Sequence, residues 1–205
     1  MRLRGGSVCA CFVALLAGAG GAAGATVNFE SVPLGTVYGV PAGNNPGDLV
    51  LAQNGINMYF DNFLFAGSPF FVQAQVGGPF DAAFPTTPLS MDNLNARFDL
   101  TGVGFPVFHV SIDFIEFGGS SNFAVNGRPI VEVGRLMDLP AAIAPGVTVT
   151  VAGGRIELEG AISSVLIGGQ ELGIDNVVAV PEPACLLLLG VGGACVAFRR
   201  RAGRS

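Results

Sequence analysis

The chain has 205 residues, half of them hydrophobic and 12 % charged, with 31 Gly, no Trp and a formal net charge of −5. All ten basic residues are Arg, and six of them (Arg2, Arg4, Arg199, Arg200, Arg201, Arg204) lie near the ends, so residues 26–179 hold four arginines against fourteen acids. A net charge of −10 over that stretch repels phosphate backbones and anionic polymers, which excludes nucleic acid as a partner and leaves solubility or cation binding for the acidity to serve.

Arg2 and Arg4 precede an apolar run from Val8 to Ala19, and Ala23-Gly24-Ala25 then supplies the small-x-small pattern that a signal peptidase reads. Residues 1–25 are therefore expected to be a secretory signal peptide, with Ala23 and Ala25 at the cleavage site and the exported chain starting near Thr26. All four cysteines (Cys9, Cys11, Cys185, Cys195) fall in terminal apolar segments. The part between is thus free of thiols and disulfides, although it would meet an oxidising compartment. Packing has to hold it, with or without a bound metal.

Residues 26–179 suffice for one domain, and their pattern is β nearly throughout. Val27 and Phe29 alternate with Asn28 and Glu30. Pro41 to Pro46 reads as a loop, Ile56–Phe65 and Phe70–Val76 as strands, Asp81–Pro88 as a loop, and Arg97–Leu100 as a short strand. From Val107 to Phe114 the apolar residues Phe108, Val110, Ile112 and Phe114 face one way, with His109, Ser111 and Asp113 opposite. The alternation slips after Phe114, which predicts a bulge or an edge near Glu116. Asn126-Gly127 predicts a hairpin turn, and Pro129 puts the returning strand at an edge or gives it an irregular start. A second hairpin is expected at Gly153-Gly154, between Val147–Val151 and Arg155–Glu159; Val165–Ile167 and Leu172–Val178 close the domain. Many short strands without a helical period predict an all-β fold, a single antiparallel β-sandwich of jelly-roll-like form.

No catalytic constellation stands out. His109 is the sole histidine, and although Ser111 and Asp113 share its face, same-face neighbours on a strand lie about 6.5–7 Å apart, too far for a Ser-His-Asp relay. Fourteen acids bring some carboxylates together by chance, so a carboxylate-dependent carbohydrate-active enzyme is only an alternative reading. With Tyr38 and Tyr59 as the sole tyrosines, an aromatic patch would have to use Phe70-Phe71 or Phe63 to Phe65, which are expected first as buried strand positions.

The C-terminal segment, residues 180–205, is different in kind. Val180-Pro181-Glu182-Pro183 leads into an apolar run from Ala184 to Phe198, and Arg199-Arg200-Arg201 ends it. Fifteen residues (184–198) make a helix about 22 Å long, short against a hydrocarbon core of about 30 Å, but snorkelling arginines extend its reach. A single transmembrane helix is expected there, with its basic end cytoplasmic and the domain outside. The Pro181, Glu182, Pro183 motif, the apolar run and the Arg199–Arg201 stop together resemble the PEP-CTERM sorting signal. That resemblance implies processing by an exosortase-type enzyme near Pro181–Pro183, after transient anchoring in the inner membrane. It also implies delivery to the surface or extracellular matrix of a bacterium that makes exopolysaccharide.

The body, through Asn28-Phe29-Glu30, Val125-Asn126-Gly127 and Gly173-Ile174-Asp175-Asn176-Val177, resembles the β-sandwiches of such cargo and, more distantly, carbohydrate-binding jelly rolls. In those, a structural calcium often sits where the first and last strands pair. Glu30 and Asp175 occupy the matching positions and are the candidate metal ligands. The expected function is a non-enzymatic, exported structural or adhesive protein, with polysaccharide as partner beside the exosortase and signal peptidase. A calcium-dependent carbohydrate-binding module is the alternative.

Overall fold

The computed structural model describes residues 24–79 and 84–182, and within them Gly24–Pro181 forms one compact unit. Its strands are β1 (Ala25–Val27), β2 (Val37–Gly39), β3 (Leu49–Gln53), β4 (Ile56–Phe65), β5 (Ser68–Phe70), β6 (Gln73–Val76) and β7 (Leu89–Asp92). They continue with β8 (Leu94–Asp99), β9 (Val107–Val125), β10 (Val131–Val133), β11 (Ala142–Ala144), β12 (Val147–Ala152), β13 (Arg155–Ile162) and β14 (Ser164–Pro181). Every pairing is antiparallel, and all fourteen strands belong to one connected sheet.

β9 and β14 form its spine. They pair from Val125↔Val165 at one end to Val107↔Pro181 at the other. Along its outer edge β14 receives β8 (Ser164–Gly169), then β7 (Leu172–Ile174), then β1 (Val177–Ala179). β9 receives β13 along Val107–Asp113 and β10 along Ser121–Phe123. The spine thus carries two arms. One runs β10-β9-β14-β8-β4, with β3 and β5 beyond; the other runs β11-β12-β13-β9-β14, then β7-β6-β2 with β1 beside β7.

Between the arms the register shifts at Gly169/Glu171 and Glu171/Leu172, opposite Ser121–Glu116. Gly119 makes this bend. Its φ is +75°, and a Cβ there would lie 2.5 Å from Gln170 Oε1. Phe60, Phe98 and Phe123 of one arm and Val27, Ile112, Leu158 and Ile174 of the other are fully buried in a single hydrophobic core. Each such side chain contributes about 1.5–3 kcal/mol by leaving water.

The all-β, antiparallel expectation holds. Ile56–Phe65 is a strand over its whole expected length, and the Gly153-Gly154 hairpin forms with Ala152 opposite Arg155. Asn126 and Gly127 turn with φ of 56° and 65°, and Arg128 N–H closes the turn on Val125 O at 3.1 Å. The return strand then starts late, at Val131, and pairs only with β9, as Pro129 requires. The slip after Phe114 corresponds to the bend.

Two expectations change. Val107–Phe114 is only the first part of a 19-residue strand, and Val165–Ile167 and Leu172–Val178 are one strand of 18 residues. Gly118-Gly119 and Gly168-Gly169 lie within these continuous strands. Among the described residues no helix is long and apolar enough to cross a membrane. The expected helix 184–198 and residues 1–23 of the expected signal peptide lie outside the described residues.

Candidate functional site

The first and last strands do pair, Val27 opposite Val177. β1 is held on its other side by Asn54 Nδ2, which donates to Thr26 O at 2.8 Å, and by Gln53, bonded to Asn28 through both its Oε1 and its Nε2. This geometry brings Glu30 and Asp175 to one neighbourhood, where Thr86 and Thr87 bridge them. Thr86 Oγ1 donates to Asp175 Oδ2, and Thr87 N–H donates to Glu30 Oε1 at 3.3 Å.

Asp175 is fully buried and lies directly opposite Asp113. Its Oδ1 accepts the Asn176 N–H at 2.7 Å. Asp113 in turn accepts from Arg155 Nε at 2.7 Å and from Asn176 Nδ2 at 3.1 Å. The carboxylate oxygens are thus engaged by protein donors. Among the described residues no three His, Cys, Asp or Glu side chains are placed to hold a metal ion.

Burial raises the Asp175 carboxyl above the ordinary carboxylate range, the charges of Glu30 and Asp113 add to this, and the Thr86 and Asn176 donors oppose it. A folded-state value above the unfolded one means that the ionised carboxylate costs stability at neutral pH. The cost disappears as pH falls through the folded value toward the unfolded one near ~3.9. Asp175→Asn is therefore expected to raise Tm relative to the parent more at pH 7 than at pH 4, as thermal melts followed by circular dichroism would show.

On the outer face of the sheet a cavity of about 480 Å³ opens over β6, β7 and the bend of β14. Gln73 and Gln75 of β6 stand opposite Asp92 and Ser90 of β7, so all four share one face. Ser90 is tied down through Oγ, which donates to Gly77 O. Gln170 and Glu171 complete the wall, and Gly119 joins this cavity to a second one of about 460 Å³ lined by Ile115, Phe117, Arg135 and Met137. Phe117 is 51 % exposed.

The other candidates separate by burial. Phe63 is buried, whereas Phe65 and Phe70 are exposed on the β4–β5 hairpin with ring centroids 6.5 Å apart. His109, Ser111 and Asp113 share a face as expected, but Asp113 is committed to Arg155 and Asn176, and Ser111 is buried.

Periodicity gave no hint of a buried asparagine pair. Asn122 and Asn95 are fully buried and flank Gly168, which is the ladder partner of both. Asn122 Oδ1 accepts the Leu64 N–H at 2.6 Å, and its Nδ2 donates to Leu64 O at 2.9 Å, so this side chain mimics a strand partner for β4. Asn95 Nδ2 donates to Asn62 O at 2.7 Å and to Asn122 Oδ1 at 3.3 Å. Two asparagines on different strands, 27 positions apart, carry no periodic signal, so only the three-dimensional arrangement reveals them.

Of the sorting residues, Pro181 ends β14, half-buried opposite Val107, and Glu182 beyond it is exposed. Pro183, Arg199, Arg200 and Arg201 lie outside the described residues, as does Ala23. Ala25 is buried and pairs with Ala179, so the first strand's start and the last strand's end lie side by side. No curated protein and no solved structure matches the chain. Residues 179–201 match the PEP-CTERM protein-sorting motif, and the chain is by that match a carrier of the PEP-CTERM signal, with the motif beginning inside its last strand.

Proposed function

We propose that the protein is a non-enzymatic structural or adhesive component of the cell surface or extracellular matrix, acting in an exopolysaccharide context. The observation that carries this reading is the PEP-CTERM motif at residues 179–201, joined without a spacer to a β domain that ends at Pro181. The motif implies export, transient anchoring and processing by an exosortase. The two-armed sheet around one core supports a jelly-roll-like sandwich as cargo, and its packing without cysteines suits an oxidising exterior.

Mass spectrometry of the mature protein is expected to find an N-terminus at Thr26, a C-terminus near Pro183, and no peptide containing Arg199. Intact tail peptides in the extracellular pool would overturn the processing. Loss of the protein from the exopolysaccharide fraction during gentle washing would overturn the adhesive role.

A calcium ion at Glu30 and Asp175 is the second reading, supported by the approach of these carboxylates around Thr86 and Thr87. The ion would take over the place of the Thr86 hydroxyl. Melts with added calcium and with chelator decide it. A calcium-dependent rise in Tm that Asp175→Asn abolishes supports the ion, and identical melts exclude it.

A further inference from the structure

We infer that the outer-face cavity over β6, β7 and the bend of β14 is a binding groove for a neutral polysaccharide chain, an inference that rests on the exopolysaccharide context proposed above. The lining is chemically selective. Gln73, Gln75 and Gln170 present planar amides, and Asp92 and Glu171 present carboxylates. Among the described residues no basic side chain lines this cavity. Amides donate and accept at adjacent atoms, as vicinal sugar hydroxyls do, while carboxylates take the hydroxyl protons. The same carboxylates, in a domain of net charge −10, repel phosphate, sulfate and uronate chains, so the ligand class is neutral.

The donors and acceptors are available. Among the described residues the side chains of Gln73, Gln75 and Glu171 have no hydrogen-bond partner. Gln170 uses only its Oε1, which accepts the Ser120 N–H at 2.8 Å, so its amide nitrogen remains. That bond also locks the side chain beside Gly119. Gln73, Gln75, Asp92, Gln170 and Glu171 all stand on strands, so these polar groups are held in place before any ligand arrives. A volume of about 480 Å³ lies within the range of small-molecule sites.

An aromatic ring lies beside the groove, lining the second cavity that shares Gly119 with it. Phe117 stands half-exposed next to Gly118 and Gly119, where the two cavities meet. The negative face of its ring suits the polarised C–H groups on one side of a pyranose.

Affinity electrophoresis of the protein purified from cells that export it tests the inference. The gels contain mixed-linkage β-glucan, galactomannan or starch, with alginate as the anionic comparison. At least one neutral polymer is expected to retard the protein, and alginate is not. Gln75→Ala and Phe117→Ala should each weaken that retardation about fivefold, the value of one lost contact of about 1 kcal/mol. Phe70→Ala on the distant hairpin should leave it unchanged. Melts confirm that the variants fold; should Phe117→Ala unfold, Phe117→Leu replaces it.

Retardation that survives Gln75→Ala and Phe117→Ala, or that Phe70→Ala removes, overturns the groove while the adhesive role stands. No retardation by any neutral polymer overturns the ligand class. Failure of the adhesive role is read separately, from the washing experiment on the exopolysaccharide fraction.

Discussion

Asn122→Ala is expected to destabilise the domain by about 2–4 kcal/mol, because it strands two hydrogen-bonding groups and weakens the bonding of a third. Leu64 loses partners for both its N–H and its C=O, and Asn95 Nδ2 loses one of its two acceptors. Asn122 is fully buried, so water does not replace it without opening the core. For a domain of this size the loss corresponds to a fall in Tm of about 5–15 °C. Urea unfolding followed by circular dichroism measures it. The hairpin of β4 and β5, which Asn122 ties to the spine, should also become the first site of proteolysis. A change below about 0.5 kcal/mol would mean that the hairpin is held by its packing alone.

Gly168→Ala should be at least as damaging, about 3 kcal/mol or more. Gly168 lies in the ladder between Asn122 of β9 and Asn95 of β8, and a Cβ there would overlap Asn95 Oδ1 and the backbone oxygen of Leu94. Because one of the obstructing atoms is backbone, rotating a side chain does not relieve the overlap; β8 must separate from β14. Asn95 Oδ1 has no hydrogen-bond partner among the described residues and faces the direction a Cβ would take, where the glycine offers only a weak Cα–H contact. The Gly168→Ala/Asn95→Ala pair should therefore be less damaging than the sum of its members, a coupling that a double-mutant cycle detects. Strict additivity would show that the Leu94 oxygen alone sets the cost.

Both effects concern the same design. A glycine in the middle strand opens space, and two asparagines meet across it to anchor a hairpin. Neither asparagine has a signature in the sequence, since each sits in a strand among apolar neighbours where an alternating pattern marks only faces. Asn95 falls in the Asp92-Asn93-x-Asn95 cluster, which as a sequence reads as a turn. In the structure it divides: Asp92 and Asn93 line the groove, and Asn95 is core.

Other parts were legible for clear physical reasons. Val110, Ile112 and Phe114 are buried while His109 and Asp113 are not, as period-two alternation requires. Phe108 departs from its face and is exposed, because it lies at the start of the strand, one residue from the loop. The candidate pair Glu30 and Asp175 was placed through the idea that the first and last strands meet, and they do. The donors that occupy its oxygens, Thr86 and Thr87, come from a loop more than fifty residues away from either carboxylate. No local pattern could select them.

By itself the sequence determined the β character of the domain, its two Gly- and Asn-turned hairpins and the sorting signal at 179–201. These depend on neighbours in the chain: alternation, turn residues, and a Pro-Glu-Pro motif followed by an apolar run and arginines. The tertiary structure alone decided that three apparent strands belong to two long ones, that Gly168 and Gly119 admit close approaches instead of ending strands, and that amides from β6 and β14 share one groove. Strand pairing joins residues tens of positions apart, and which face a loop then covers is settled by packing, to which local periodicity is blind.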